Sequence, residues 1–157
     1  MEIEEMSENQ CRALLERSTI GRLGCSLEDQ PYVLPVYFAC EAEHIYVLST
    51  LGQKIKWMRA NPKVCMEIDE IASQSQWESV VVNGRYRELS EPLDEVEVSR
   101  ARKLLGTRHR WWINALAERR TQTDDDLSIA PLFFSIDIES LIGLRASAGE
   151  ERGASPK

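Results

Sequence analysis

Residues 49–62 read STLGQKIKWMRANP, and they join two short apolar segments, HIYVL at 44–48 and KVCMEI at 63–68. The flanking segments have the length and apolar content of strands, whereas inside the join Ile55 and Met58 stand three apart, the spacing of one helical face. Asn61-Pro62 ends that pattern, because a residue before proline is pushed out of the helical region. The stretch therefore predicts strand, short crossover helix over residues 54–61, strand. Ser49, Thr50 and Gly52 lead into the helix N-terminus, where free N–H groups and the positive end of the dipole favour an anion. Lys54 adds a full charge there. Lys56 and Arg59 lie two and five positions further on and cannot share one face with it. The spacing is not the G-x-x-x-x-G-K-[ST] of a P-loop, which argues against a nucleoside triphosphate. Taken by itself, the stretch is equally explained as an ordinary solvated helix.

Upstream, residues 20–27, 32–39 and 45–49 are three apolar segments separated by the polar connections EDQP and CEAEH, the pattern of a β-meander. Pro35, inside the second, cannot donate to a ladder, so that strand needs an edge, a bulge or a ligand there. Ser7 and Gln10 form a capping-box pattern ahead of Cys11, Leu14 and Leu15, predicting a helix over residues 7–17. Downstream, Val64, Met66 and Ile68 alternate with Cys65, Glu67 and Asp69, and a polar ASQSQ loop leads to a further strand over 78–89. Gly84 in that strand suggests a bulge or a close backbone approach. Val98, Ala101, Leu104 and Leu105 give a helix, and Ile113, Leu116 and Ala117 a second after the Gly106 break, together a helical insert. After the acidic TQTDDD loop, Leu132, Phe134, Ile136 and Ile138 alternate in a last strand. The expected architecture is mainly β with flanking helices: a six-stranded antiparallel closed or split barrel, one domain over residues 1–146, with a disordered tail over 147–157.

The chain has 157 residues, 43% of them apolar, enough for one full core. With 26 acidic against 19 basic residues its net charge is −7, so the molecule as a whole repels nucleic acid and anionic membrane surfaces, and any anion site must be local. No apolar run approaches the roughly 18 residues that span a bilayer. The acidic start MEIEE is unlike the basic start of a signal peptide, so a cytoplasmic protein is expected. Cys11, Cys25, Cys40 and Cys65 form no C-x-x-C pair and read as reduced structural thiols. His44 and His109 have no partners at ligand spacing, so no metal site is expected. The run Arg108, His109, Arg110, Trp111, Trp112 offers a stacking wall or, more plainly, a core anchor; the acidic field opposes its use on nucleic acid.

The order PYVLPVYF, HIYVLSTLGQK, NPKVCMEI, WESVVVNGRYREL and PLFFSIDIESLIGLRA resembles the pyridoxamine 5′-phosphate oxidase-like, FMN-binding split-barrel superfamily, and within it the nitroimidazole-resistance-related branch. The resemblance spans residues 7–146. It implies a homodimer whose two barrels enclose two FMN molecules at their interface. Val33, Leu34, Pro35 and Val36 would run along the isoalloxazine; Leu48, Ser49 and Thr50 would lie at the ribityl and phosphate end; Lys54 would hold the phosphate. Three positions depart from the family: Gln53 where the oxidases carry arginine, Ser79 where they carry glutamine, and Leu48 where the nitroimidazole branch carries histidine. These departures weaken the match to pyridoxamine phosphate oxidation and to nitroimidazole reduction while leaving FMN binding intact. Such a flavoprotein would take hydride from a nicotinamide cofactor and pass electrons to a small acceptor. The same fold could instead hold F420, or haem on His44 or His109, or serve as a non-enzymatic interaction module.

Overall fold

The computed structural model describes residues 1–108 and 131–149. Seven strands and three helices follow in the order β1 (Glu2–Glu5), α1 (Glu8–Arg17), β2 (Ile20–Leu27), β3 (Gln30–Glu41), β4 (His44–Thr50), α2 (Gln53–Ala60), β5 (Lys63–Ser73), β6 (Gln76–Leu89), α3 (Glu95–Arg108) and β7 (Pro131–Ser147). All strand pairings are antiparallel; the order is β1-β7-β4-β3-β2-β5-β6, and β6 also pairs with β7. Strands β2 to β7 thus close a six-stranded barrel, as the meander and the alternating segments require.

The seventh strand corrects the expected count. β1 reads EIEE with all four residues exposed, and it pairs with residues 144–147 of β7. It is held by main-chain rungs at an outer edge, so it has no buried face to write an apolar period into the sequence. The same pairing places Ser147 inside β7, not in the tail. The second helix of the insert, the TQTDDD loop, the Trp111-Trp112 run and residues 150–157 of the tail lie outside the described residues.

Inside the barrel the alternating residues meet: Leu23, Phe38, Ile45, Val47, Met66, Ile68, Val80, Val82, Phe134 and Ile136 are at most 1% exposed. Each such side chain contributes about 1.5–3 kcal/mol by leaving water. Helix α1 plugs the barrel with Cys11, Leu14 and Leu15. Its start is fixed by the capping box: the Gln10 N–H donates to Ser7 Oγ at 3.3 Å, and the Ser7 N–H donates to Gln10 Oε1 at 2.8 Å. A second, smaller core lies outside the barrel wall, where α3 sets Val98, Ala101 and Leu105 on Ala39, Tyr46 and Leu89.

Two sequence signals find their physical reasons here. At Gly84 the β6–β7 register shifts, and an added Cβ would sit 2.6 Å from the Asp137 carbonyl oxygen, so only glycine fits. β3 pairs with β2 over residues 30–37 but with β4 only over 38–41. The Phe38 N–H donates towards Thr19, on the β2 side. Since N–H directions alternate along a strand, position 35 faces the open side. Pro35 therefore interrupts no rung.

Candidate functional site

The site is built around α2, whose position is set from several directions. Ile55 and Met58 are fully buried in the barrel core, and Trp57 packs against Tyr32 of β3 with ring centroids 5.8 Å apart. At the helix end the Asn61 side-chain amide donates to the Ser26 carbonyl oxygen at 3.1 Å. On the outer face Arg59 makes two bonds to Glu88, at 2.6 and 2.7 Å. The other end is left open. Gly52 is the N-cap in an extended conformation with no side-chain cap, and the first helical bond runs from the Lys56 N–H to the Gly52 carbonyl. The N–H groups of residues 53–55 thus meet no capping side chain, which is the arrangement that receives anions.

Lys54 stands in this opening, half-buried. Burial pushes its pKa below the ordinary lysine value, with only the Cys25 thiol acting in the opposite direction. Among the described residues its ammonium has no carboxylate partner and no hydrogen bond. A charge taken partly out of water without a counter-charge is unfavourable unless a ligand supplies one. Its two companions in the sequence are different: Lys56 is exposed and Arg59 is taken by Glu88.

Around this centre the expected residues divide. Ser49, Thr50, Gln53 and Lys54 share the β4–α2 junction: Ser49 is buried with its Oγ donating to the Thr50 carbonyl at 3.1 Å, and Gln53 is exposed at the first helical position. Val33, Leu34, Pro35 and Val36 lie on β3, next to β4 in the sheet. Val33 and Pro35 face outward, while Leu34 and Val36 pack on the barrel interior. What these four share is the unpaired edge of β3, where Val33 and Pro35 turn main-chain groups to the open side. Leu48 points elsewhere, into the cluster beneath α3. Ser79 is also apart: β2 and β5 lie between β3 and its strand β6, and its Oγ donates to Glu67 Oε1 at 2.8 Å. Sequence reasoning missed two features near these groups. Cys25 approaches Lys54 from inside the barrel, and Arg22 reaches Glu67 and Asp69 across the outer face. The second had a signal, since Glu67 and Asp69 share the parity of the outward face of β5.

A second polar cluster lies under α3, and its geometry is that of a closed network. Arg87 bonds Glu97 at 2.7 and 2.9 Å and Asp137 at 2.9 and 3.2 Å; His44 Nδ1 and Ser135 Oγ also meet Asp137, at 2.8 and 2.7 Å. Burial raises the Asp137 pKa, but the hydrogen bonds from Arg87, Ser135 and His44 outweigh it and bring the carboxyl to about 2. Tyr46 donates to Glu97 at 3.2 Å, and burial together with that carboxylate pushes its phenol up to about 12. His44 lies here, away from the Lys54 opening.

With the barrel, the open N-terminus of α2 and its unpaired lysine in view, the comparison with known proteins is decisive. The model of the family described as pyridoxamine 5′-phosphate oxidase matches residues 7–145. The chain belongs to that family. The match begins at the N-cap of α1 and ends in β7, so it takes in the whole barrel of this pyridoxamine 5′-phosphate oxidase family member and leaves β1 outside. An uncharacterized protein of Rhizobium meliloti is 38% identical over 151 residues, covering 96% of this chain and 99% of its own. Among solved structures, a protein of Mesorhizobium loti described as FAD-binding is 35% identical, with a TM-score of 0.77 over 94% of this chain and 99% of that one. A Bacteroides thetaiotaomicron protein described as a 5-nitroimidazole antibiotic resistance protein shares the fold at 17% identity, with a TM-score of 0.64 over 92% of this chain and 89% of its own. The barrel fold is thus shared with both solved structures, one of them described as FAD-binding. No described helix is long and apolar enough to cross a membrane.

Proposed function

We propose that the protein binds FMN and acts as a cytoplasmic homodimeric oxidoreductase, passing electrons from a nicotinamide cofactor to a small acceptor. The observation that carries this reading is Lys54: among the described residues, a half-buried ammonium without a protein counter-charge, at an uncapped helix N-terminus, beside a strand edge whose main-chain groups are unpaired. A terminal phosphate supplies the missing charge, and Lys54 with the first-turn N–H groups would hold it. Ser49 and Thr50 would line the ribityl path, and the open edge of residues 33–36 would meet the ring. The flavin, when bound, supplies the hydride and electron chemistry, so the chain need contribute binding, orientation and exclusion of water rather than an acid–base pair.

The dimer is supported by the outer wall of the barrel, where Val33, Ile142, Ile20 and Leu144 are 64, 59, 44 and 40% exposed. These residues are spread around the wall over β2, β3 and β7, and a second copy set against part of it would bury some of them. FAD is the second reading, favoured by the description of the 35% identical Mesorhizobium loti protein. FMN is preferred because one ammonium and one helix terminus match one terminal phosphate.

The test is an absorption spectrum of the purified protein, with the released ligand identified by mass and its molar mass in solution measured by light scattering. A yellow dimer releasing FMN, bleached by reduced nicotinamide without oxygen, is the expected result. Release of FAD would transfer the reading to the longer flavin. A colourless protein that takes up neither FMN nor FAD saturably would overturn it.

A further inference from the structure

Between the two separated groups of candidate residues lies a bridge that the flavin reading leaves unused. Arg22 on β2 is the register partner of Pro35 on β3 and of Glu67 on β5. Side chains directly opposite each other on one sheet face stand about 4.5–5.5 Å apart at Cβ. Arg22 Nη1 donates to Glu67 Oε2 at 3.3 Å and to Asp69 Oδ1 at 3.0 Å. Glu67 in turn accepts from Ser79 at 2.8 Å. Pro35, Arg22 and Glu67 thus follow one register line across three strands of the outer face, and Ser79 of β6, the register partner of Asp69, joins it diagonally through Glu67. Both bonds of Arg22 use the same nitrogen, so among the described residues Nε and Nη2 keep their N–H groups free.

We infer that Arg22 is a cofactor-positioning residue, its free guanidinium N–H groups meeting the pyrimidine edge of the flavin while Glu67 and Asp69 fix its orientation. The inference rests on the flavin reading above. A planar fork of N–H donors suits the carbonyl groups of that edge, and a guanidinium held from one side by two carboxylates presents the fork with little freedom left to lose. Its charge matters too. Uptake of two electrons and one proton by the bound ring leaves one negative charge, which Arg22 stabilises and Glu67 opposes. Arg22 with Glu67 and Asp69 carries a net charge of −1, so the three together hold the balance between oxidised and reduced flavin rather than favouring one strongly.

Opposite substitutions on the FMN-loaded protein test this. Arg22→Gln is expected to weaken binding of the reduced flavin relative to the oxidised by about tenfold, and Glu67→Gln to strengthen it in the same proportion. Each appears as a shift of about 30 mV in the two-electron midpoint potential, downward for the first and upward for the second. The potential is read by reductive titration with dithionite against a reference dye, and folding is checked by thermal unfolding. Arg22→Lys, which keeps the charge and loses the fork, should hold the potential closer to wild type while weakening FMN. A surface ion cluster of purely structural use would leave the potential unmoved in all three variants, and that result overturns the inference; if Arg22→Gln does not fold, Glu67→Gln carries the test. Absence of flavin from the wild-type protein would sink the flavin reading instead, a separate outcome.

Discussion

The two polar regions of the molecule handle charge in opposite ways. Beneath α3, Arg87 serves both Glu97 and Asp137, and Tyr46, His44 and Ser135 spend their groups on the same two carboxylates. At the start of α2, Lys54 is drawn partly out of water and, among the described residues, given no carboxylate to pair with. Both regions lie on the same barrel. A network whose charges pair with one another fixes one arrangement of strands and helix, whereas an unsatisfied charge costs stability until something binds it. On that difference rests the proposal that the α2 opening is the binding site.

The strongest attack on that contrast is Lys54→Ala. Bonds to charged groups are worth about 1.5–3 kcal/mol, so FMN should bind roughly ten- to a hundredfold more weakly, measured by quenching of flavin fluorescence. Riboflavin, which has the ring and ribityl chain but no phosphate, should be affected little. Equal weakening of both would mean that Lys54 acts through folding. The unliganded variant should be no less stable than wild type, because the substitution removes a desolvated charge.

Arg87→Gln is the converse. It leaves Glu97 and Asp137 without their cation, and since these groups are about a third exposed the loss falls between the values for surface and buried pairs, about 1–2 kcal/mol in urea unfolding. FMN affinity should be unchanged; a loss there comparable to that of Lys54→Ala would dissolve the contrast.

Acid sharpens it further. The Asp137 carboxyl is held at about 2, below its ordinary 3.8, so its pairing contributes stability above pH 4 that is lost as the pH falls towards 2. Asp137→Asn should flatten the wild-type decline in stability over that window without abolishing it, because Glu41, Glu78, Glu88 and Glu97 are lowered as well. An unchanged slope in the unfolding free energy against pH would separate the network from folding.

How far the sequence revealed all this depends on where each residue finds its partner. The alternation of Val64, Met66 and Ile68, and of Phe134 and Ile136, encodes barrel strands directly, since each buried face is written into a few consecutive residues. The capping box at Ser7 and Gln10 is equally local. β1 was hidden because a strand paired only through its backbone leaves no side-chain period. The α3 network was hidden for a different reason: Arg87 and Asp137 are 50 residues apart, and only the β6–β7 register brings them together. Lys54 was visible as a cation near a helix start, but its lack of a partner is a property of the folded surroundings. Ser79 shows the limit on the other side, for its place in the family's pattern can be read from the sequence even though the residue departs from it, while the fold of one chain puts two strands between it and β3.

The smallest expected effects come from the other cations of the opening stretch. Helical spacing turns Lys56 and Arg59 away from the face that Lys54 presents, and Arg59 is spent on Glu88 in an exposed two-bond pair. Arg59→Ala should cost about 0.2–1 kcal/mol of stability, the range of surface ion pairs, and less at high salt. Lys56→Ala should cost nothing measurable. Neither should move FMN affinity by more than about twofold, since an exposed charge beyond the first shell of a ligand is largely screened. Fluorescence titrations of the three single variants at one salt concentration would rank them. A loss at Lys56 or Arg59 as large as at Lys54 would show that the stretch attracts phosphate by its summed charge, and that the open helix end with its one unpaired ammonium is not the feature that binds.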